Sequence, residues 1–252
     1  MKIGFFDTGL GGVTILRQVY NEINAEYIYM ADTKNAPYGI KEIDYVRELT
    51  ENCVKELISR GCEIIVIACN TATSAAISYL RNKYPNIIFV GAEPAIKPAL
   101  EVADTKKIIL TATSLTLKGD KLKKLIQDLN AEEKITLLPL DKLVEYADFD
   151  ENIQYDLAYE YLESEFLKLK LEDYNGIVLG CTHFPLFKKE IKNIIGENIE
   201  IFDSAVGITN NLKNIINKNY ENYQEKEKSI EVVLTNYLAE FEKKFFEVLE
   251  NL

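Results

Sequence analysis

The chain has 252 residues, of which 47% are hydrophobic, enough to fill the core of one large domain or two modest ones. Its formal net charge is -11, which argues against nucleic acid as the main partner, because phosphate binding needs clustered Lys and Arg. An anionic substrate would therefore have to be held by local dipoles.

The N-terminal sequence predicts neither export nor membrane insertion. A short apolar run meets Asp7 at once, and no segment approaches the roughly 18 uncharged apolar residues of a membrane helix. We therefore expect a cytoplasmic protein without a membrane partner. The four cysteines form no CxxC pair, and in a reducing compartment they would be free thiols. The sequence thus predicts neither a disulfide nor a metal site.

Short β-branched runs alternate along the chain with segments of helical period. This alternation is typical of parallel sheets covered by helices, and so the sequence predicts an α/β fold. The predicted strands span residues 2–6, 26–30, 63–68, 87–90, 107–111, 135–138, 176–179 and 200–202.

Apolar residues at helical spacing predict helices between these strands. One helix begins near Val13, and another begins near Ile43 and stops before Gly61. Cys53 lies on the apolar side of the second helix and is predicted to be a core residue. The charged stretch 220–228 is expected to be a solvated loop before a final element.

Two segments share one pattern, a buried strand that ends in a cysteine followed by polar residues. Residues 64–71 read IIVIACNT, and residues 176–183 read GIVLGCTH. Ligands of open parallel sheets bind beyond the carboxyl ends of the strands, so Cys69 and Cys181 are expected where chemistry is done. Two similar α/β halves that face each other would bring the two thiols together.

Two glycine-containing loops are predicted at the same edge of the sheet, beyond the carboxyl ends of the strands. Residues 7–12 follow a strand and open a helix, so their backbone N–H groups could hold a carboxylate. This loop is not a dinucleotide fingerprint, because Thr14 stands where the pattern GxGxxG needs Gly. Pro37 and Gly39 shape the second loop, residues 31–39. An ordinary turn without a ligand is the alternative for both loops.

Two thiols are suited to inverting a carbon atom that carries one acidic C–H. A base removes the proton from one face, an acid delivers a proton to the other face, and the roles swap in the reverse reaction. The ordinary pKa of a thiol, about 8.5, is closer to neutrality than that of lysine. Each cysteine needs a polar neighbour that can accept its proton and return it. Asp7 would serve Cys69, and His183, the only histidine in the chain, would serve Cys181.

The motifs taken together resemble those of the aspartate/glutamate racemase family. They cover most of the chain in the family's order, and the set of them is far more specific than any one motif. The matches are FDTGLGG at residues 6–12, PYG at 37–39, ACNTA at 68–72, EPA at 93–95 and GCTHFP at 180–185.

The resemblance implies two pseudo-symmetric α/β domains with mainly parallel sheets and an active site in the cleft between them. Residues 1–96 together with 205–252 are expected to form the first domain, on the Cys69 side. Residues 97–204 are expected to form the second domain, on the Cys181 side.

The resemblance also implies an isomerase that needs neither pyridoxal phosphate nor metal. It would interconvert L- and D-glutamate for peptidoglycan synthesis, often as a homodimer. In this interpretation Cys69 and Cys181 are the acid/base pair, assisted by Asp7 and His183, and Glu145 resembles an acidic residue near the second cysteine. The substrate-binding residues carried over by motif are Asp7, Thr8, Tyr38, Gly39, Asn70, Thr71, Thr113, Thr116, Thr182 and His183.

Three other functions fit parts of the pattern. Thr8 stands where the family usually has Ser, and Leu115 replaces a small residue, which leaves open a racemase for another acidic amino acid such as aspartate. One methylene in a pocket is worth only about 1–3 kcal/mol. A Cys-His hydrolase would use Cys181 and His183 and leave Cys69 idle. A binding module of two α/β lobes would hold an amino acid without needing either thiol.

Overall fold

The computed structural model describes residues 1–103, 105–147, 153–220 and 227–251. Within these residues the chain forms two separate β-sheets in which every pair of neighbouring strands is parallel. Helices cover the sheets, so the predicted α/β fold with two parallel-sheet domains is confirmed. None of the helices in these ranges is long and apolar enough to cross a membrane.

Strands and helices alternate along most of the chain. The strands are β1 Lys2–Asp7, β2 Glu26–Ala31, β3 Ile64–Ile67, β4 Ile88–Gly91, β5 Lys107–Ala112, β6 Ile135–Pro139, β7 Tyr174–Leu179, β8 Glu200–Phe202 and β9 Ser229–Leu234. The α-helices are α1 Val13–Glu22, α2 Ile43–Ser59, α3 Asn70–Lys83, α4 Ile96–Ala103, α5 Ser114–Lys118, α6 Asp120–Asp128, α7 Lys142–Ala147, α8 Tyr155–Phe166, α9 Lys188–Ile195, α10 Ala205–Asn219 and α11 Phe241–Asn251. Short 3-10 helices span Glu132–Lys134, Leu171–Asp173 and Phe184–Phe187.

The order of strands places the strands that precede Cys69 and Cys181 inside their sheets. The first sheet has the order β4-β3-β1-β2-β9, and the second has the order β6-β5-β7-β8. Strand β3, which precedes Cys69, has a neighbour on each side and is buried along its whole length, because helices cover both faces of the sheet. Strand β7, which precedes Cys181, likewise lies between two neighbours.

The predicted strands are present, and their ends differ from the predictions by at most two residues. The largest shift is at β7, which begins at Tyr174. Helix α2 ends at Ser59, and Gly61 follows with φ of +85°, a left-handed conformation that glycine adopts without steric cost. Cys53 is buried in the core, as its place on α2 predicts.

Strand β9 follows the charged stretch, where the sequence predicts a final element without specifying its type. It adds an edge strand to the first sheet by pairing with β2, from Ser229 opposite Glu26 to Leu234 opposite Ala31. The alternation of polar and apolar residues in its first four positions, SIEV, is a local signal for such a strand. Of the predicted solvated loop, residues 221–226 lie outside the described residues.

The first sheet takes its strands from residues 2–91 and 229–234, and the second takes its strands from residues 107–202. The boundaries proposed for the two domains, near residues 96 and 205, remain a prediction. What matters for the site is that the loops after β1, β2 and β3 meet the loops after β5, β6 and β7.

Candidate active site

A narrow cleft lies where the loops at the carboxyl ends of the two sheets meet. Its cavity volume is about 30 Å³, space for about two water molecules. The lining residues are Thr8, Pro37, Tyr38, Gly39, Ile40, Cys69, Asn70, Thr71, Thr113, Asp141, Val144, Glu145, Cys181, Thr182 and His183.

Cys69 lies between the end of β3 and the start of α3, where it is the N-cap residue of a 14-residue helix. Its buried Sγ accepts a hydrogen bond from Ala72 N at 3.5 Å. Burial raises the pKa of the Cys69 thiol well above its ordinary value, the Asp7 charge raises it further, and backbone N–H groups at the start of α3 oppose the shift. Cys69 is therefore a neutral thiol in this form of the cleft.

Asp7, the last residue of β1, is fully buried behind the cleft wall. Its carboxylate accepts hydrogen bonds from Gly9 N at 3.1 Å and from Thr182 Oγ1 at 3.0 Å. The second bond joins the two halves of the cleft, because Thr182 directly follows Cys181. Asp7 thus contacts the Cys181 loop while its charge acts on Cys69.

The first glycine loop packs directly on the Cys181 loop. A Cβ at Gly11 would lie 2.5 Å from Thr182 Oγ1 and 2.8 Å from both N and Nδ1 of His183. No side chain fits in this space, so glycine permits the close approach. The role predicted for loop 7–12 in holding a carboxylate remains a prediction.

Cys181 begins the turn that follows β7. Its partly exposed Sγ lies 3.8 Å from Nδ1 of His183, within reach of a weak hydrogen bond between thiol and imidazole. Gly180 N donates to Thr111 O at 2.7 Å, which continues the ladder between β5 and β7 and fixes the turn. Cys69 and Cys181 therefore reach one cleft from separate sheets, each with an ionisable neighbour.

A cluster of threonine hydroxyls bridges the two halves of the cleft. Thr71 Oγ1 lies 3.1 Å from Thr113 Oγ1 and 3.2 Å from Thr116 Oγ1, and Thr113 donates to Thr116 at 3.0 Å. Thr71 follows Cys69, whereas Thr113 and Thr116 belong to the turn after β5. Thr71 and Thr113 line the cleft, and Thr116 lies behind them.

Tyr38 and Gly39 reach the cleft from the loop after β2. Tyr38 is buried, and its hydroxyl donates to Asp32 Oδ2 at 2.5 Å. Burial and the Asp32 carboxylate raise the pKa of Tyr38, so its hydroxyl stays protonated. A Cβ at Gly39 would lie 3.0 Å from Thr113 Cβ, which shows how closely this loop packs on the second half.

The predicted residue Glu145 lies on the exposed side of α7, at the rim of the cleft. Asp141, in the loop after β6, and Val144, on α7, also line the cleft, and the motifs indicate neither of them. Asp141 accepts hydrogen bonds from Ser114 N at 2.8 Å and Ser114 Oγ at 2.5 Å, and so fixes the turn after β5 that carries Thr113 and Thr116. Its place just after a predicted strand is the signal that could have identified it.

The charges of the cleft are unusual for a site that would take an anion. Among the described residues that line it, none is Lys or Arg. The available donors are hydroxyls, backbone N–H groups and the start of α3, which carries the positive end of a helix dipole. The expectation that local dipoles must hold an anionic substrate agrees with this lining.

The family model described as Asp/Glu/Hydantoin racemase matches residues 11–209. The chain belongs to this family. It is therefore an isomerase of the racemase type, and the resemblance seen in the motifs is confirmed. Family membership decides against both the Cys-His hydrolase and the binding module.

Several glutamate racemases are similar to the chain over most of its length. That of Lachnospira eligens is 43% identical over 221 residues, 86% of this chain and 83% of that protein. That of Clostridium botulinum is 40% identical over 250 residues, 97% of this chain and 96% of that protein. The crystal structure of Escherichia coli glutamate racemase in complex with L-glutamate and the activator UDP-MurNAc-ala matches with a TM-score of 0.83 at 26% identity, covering 98% of this chain and 94% of that one.

Proposed function

We propose that the chain interconverts L- and D-glutamate by two-base proton transfer, with Cys69 and Cys181 on opposite faces of the substrate. The observation that carries the proposal is that two thiols from separate sheets line one narrow cleft, each beside an ionisable partner. The similarity to several glutamate racemases over most of the chain supports glutamate as the substrate.

In the proposed reaction a cysteine thiolate removes the α-proton, and the electron pair of the C–H bond stays on the α-carbon, delocalised into the carboxylate. The opposite thiol then delivers its proton to the other face, which inverts the carbon. Each sulfur would lie about 3–3.5 Å from the α-carbon in the productive complex. The cysteines finish with their protonation states exchanged, and proton transfers through Asp7, His183 and solvent restore the starting state.

Substrate binding is assigned to the donors and acceptors of the cleft walls. The hydroxyls of Thr8, Thr71, Thr113 and Thr182 and the start of α3 are suited to the two carboxylates. Asn70 is buried, and its Oδ1 has no hydrogen-bond partner among the described residues. A buried carbonyl oxygen that lacks a donor is suited to the substrate ammonium group.

Aspartate remains the alternative substrate. Thr8, one of the two departures from the family pattern, lines the cleft, and its extra methyl narrows that wall. Leu115, the other departure, is not among the lining residues, and it packs against the core of the first half. Of the two departures, Thr8 is therefore the one placed to affect the choice between glutamate and aspartate.

The biological setting is also part of the proposal. The family resemblance supports a cytoplasmic homodimer whose product, D-glutamate, serves peptidoglycan synthesis. Light scattering on the purified protein tests the dimer. Rescue of a bacterial strain that needs external D-glutamate tests the cell-wall role, and growth only with added D-glutamate would contradict it.

The decisive experiment is incubation of the purified protein with L-glutamate in D2O, followed by proton NMR and optical rotation, with L-aspartate in parallel. We expect glutamate to lose its α-proton signal while optical rotation decays to zero. Faster exchange of aspartate would change the substrate. Exchange without loss of rotation would contradict transfer between two faces, and inertness of both amino acids would overturn the proposed function.

A further inference from the structure

Three adjacent parallel strands, β1, β2 and β9, end side by side at the edge of the first sheet that faces the cleft. Asp7 pairs with Ala31, and Ala31 pairs with Leu234. The ladder continues one step further, since Asp32 N donates to Asp7 O at 3.0 Å and Thr235 N donates to Ala31 O at 3.1 Å. The C-terminal strand therefore places Thr235 beside Asp32.

The Asp32 carboxylate is buried, with 1% of the residue exposed. Its Oδ2 accepts from the Tyr38 hydroxyl at 2.5 Å, and its Oδ1 accepts from Thr235 Oγ1 at 2.6 Å. Asn35 Nδ2 donates to both oxygens at 2.9 and 3.1 Å. Burial removes the water that would hydrate this carboxylate. Each of these hydrogen bonds offsets part of that cost, and losing one leaves a buried charged oxygen without a donor.

The same C-terminal segment holds the start of the loop that carries Tyr38. Thr235 Oγ1 also accepts from Lys34 N at 3.1 Å. Thr33 Oγ1 donates to Asn236 O at 2.8 Å and accepts from Asn236 N at 3.2 Å. The Thr235 hydroxyl thus uses both its donor and its acceptor capacity on residues 32–34.

We propose that Thr235 is a positioning residue for the cleft, and that its hydroxyl fixes Asp32, which in turn fixes the Tyr38 hydroxyl and the wall formed by Tyr38 and Gly39. Gly39 packs against Thr113, so a shift of this wall changes the width of the cleft. The inference rests on the proposed function for its kinetic consequences. It does not depend on that function for the link between Thr235 and the loop.

The first test compares Thr235→Val, which removes the hydroxyl at nearly constant size, with Thr235→Ser, which keeps it. We expect Thr235→Val to raise KM for glutamate about tenfold while kcat changes much less, because the binding wall is less well ordered. Thr235→Ser should behave like the wild type. The matched control is Thr136→Val on β6, whose hydroxyl bonds the Tyr174 hydroxyl at 2.9 Å and lies outside the cleft lining.

The second test measures hydrogen exchange in the peptide that spans residues 32–40, without substrate. Thr235→Val should accelerate exchange in this peptide, and Thr136→Val should not. A double-mutant cycle with Tyr38→Phe supplies the specific readout: the effect of Thr235→Val on KM should nearly vanish once the Tyr38 hydroxyl is absent.

Additive effects in that cycle, or wild-type KM and exchange in Thr235→Val, would overturn the positioning role. Equal damage from Thr235→Ser would also overturn it, because that variant keeps the hydroxyl. If the wild-type protein does not racemise glutamate, the proposed function fails, and the exchange measurement still decides whether Thr235 orders the loop.

Discussion

The two thiols of the cleft stand in unlike surroundings, although the strands that precede them have similar sequences. Cys69 caps a 14-residue helix, is buried, and has a raised pKa near the Asp7 carboxylate. Cys181 is partly exposed and precedes a short 3-10 helix, and its Sγ lies 3.8 Å from His183 Nδ1. One neighbour is an anion that can accept a proton, and the other is an imidazole that can become a cation.

In the proposed mechanism this difference gives each cysteine its own proton-transfer partner. Burial and the Asp7 charge both oppose ionisation of Cys69. In the proposed reaction His183 exchanges a proton with Cys181, whose Sγ lies 3.8 Å from His183 Nδ1. The hydrogen bond from Thr182 to Asp7 joins the two halves, so neither environment is independent of the other.

The largest expected effect on racemisation comes from replacing the sulfur of Cys69 or Cys181. Cys69→Ser and Cys181→Ser should each lower kcat for racemisation by about 10²- to 10⁴-fold, because a hydroxyl is a poor substitute in general acid-base catalysis. The control is Cys62→Ala, a buried free cysteine just before β3, at the opposite end of that strand from Cys69. Its kcat should be unchanged, and normal turnover in Cys69→Ser would contradict the two-thiol mechanism.

Substitution of Asp7 or His183 should show which face of the substrate each residue serves. Asp7→Asn and His183→Asn should each lower kcat/KM by about 10- to 100-fold. The loss must be equal in both directions, because two enantiomers have equal free energy. The asymmetry therefore appears in deuterium isotope effects on α-deuterated glutamate. Asp7→Asn should enlarge the effect for the enantiomer whose α-hydrogen faces Cys69, and His183→Asn should enlarge it for the other.

An isotope effect enlarged for the same enantiomer in both variants would contradict this assignment. Unchanged isotope effects in both, together with normal kcat/KM, would mean that neither residue manages a proton. Both variants should first be checked for the wild-type unfolding temperature, because Asp7 and His183 are buried.

Contact between the halves is tested by Gly11→Ala. The new Cβ would overlap Thr182 and His183, so overpacking should lower the free energy of unfolding by about 1–3 kcal/mol. Displacement of the Cys181 loop should also lower kcat/KM. Gly207→Ala on α10 is the matched control, since a Cβ there meets nothing within 4 Å. It should leave kcat/KM unchanged and raise the free energy of unfolding by about 0.5–1 kcal/mol. Equal kinetics in both variants would show that close contact is not required.

The smallest expected effect concerns the proton on Cys69. Its raised pKa means that the folded protein keeps this proton at a pH where the unfolded chain has released it. Stability should therefore fall as pH rises above the ordinary thiol pKa of about 8.5, by about 1.4 kcal/mol per pH unit for this group. Cys69→Ser should remove that part of the slope in urea denaturation measured from neutral to alkaline pH. Parallel profiles for wild type and variant would contradict the environment described for Cys69.

Much of the candidate site follows from local patterns. Cys69 and Cys181 are recognisable because each follows an apolar strand. Ligands of parallel sheets bind beyond the carboxyl ends of the strands, so both cysteines are expected at a binding site. Most residues carried over by motif line the cleft, whereas Asp7 and Thr116 lie behind its wall. Asp141 and Val144 belong to none of the motifs, although they too follow the carboxyl end of a predicted strand.

The sequence alone determined the α/β class, the positions of nearly all strands, the core role of Cys53 and the family resemblance, because these depend on short-range periodicity and contiguous motifs. Only the tertiary structure decided the addition of β9 to the first sheet, the bond from Thr235 to Asp32 and the bond from Thr182 to Asp7. It also decided the direction of the Cys69 pKa shift. Each of these depends on burial or on partners far apart in the chain, and no local pattern specifies which distant group will be the neighbour.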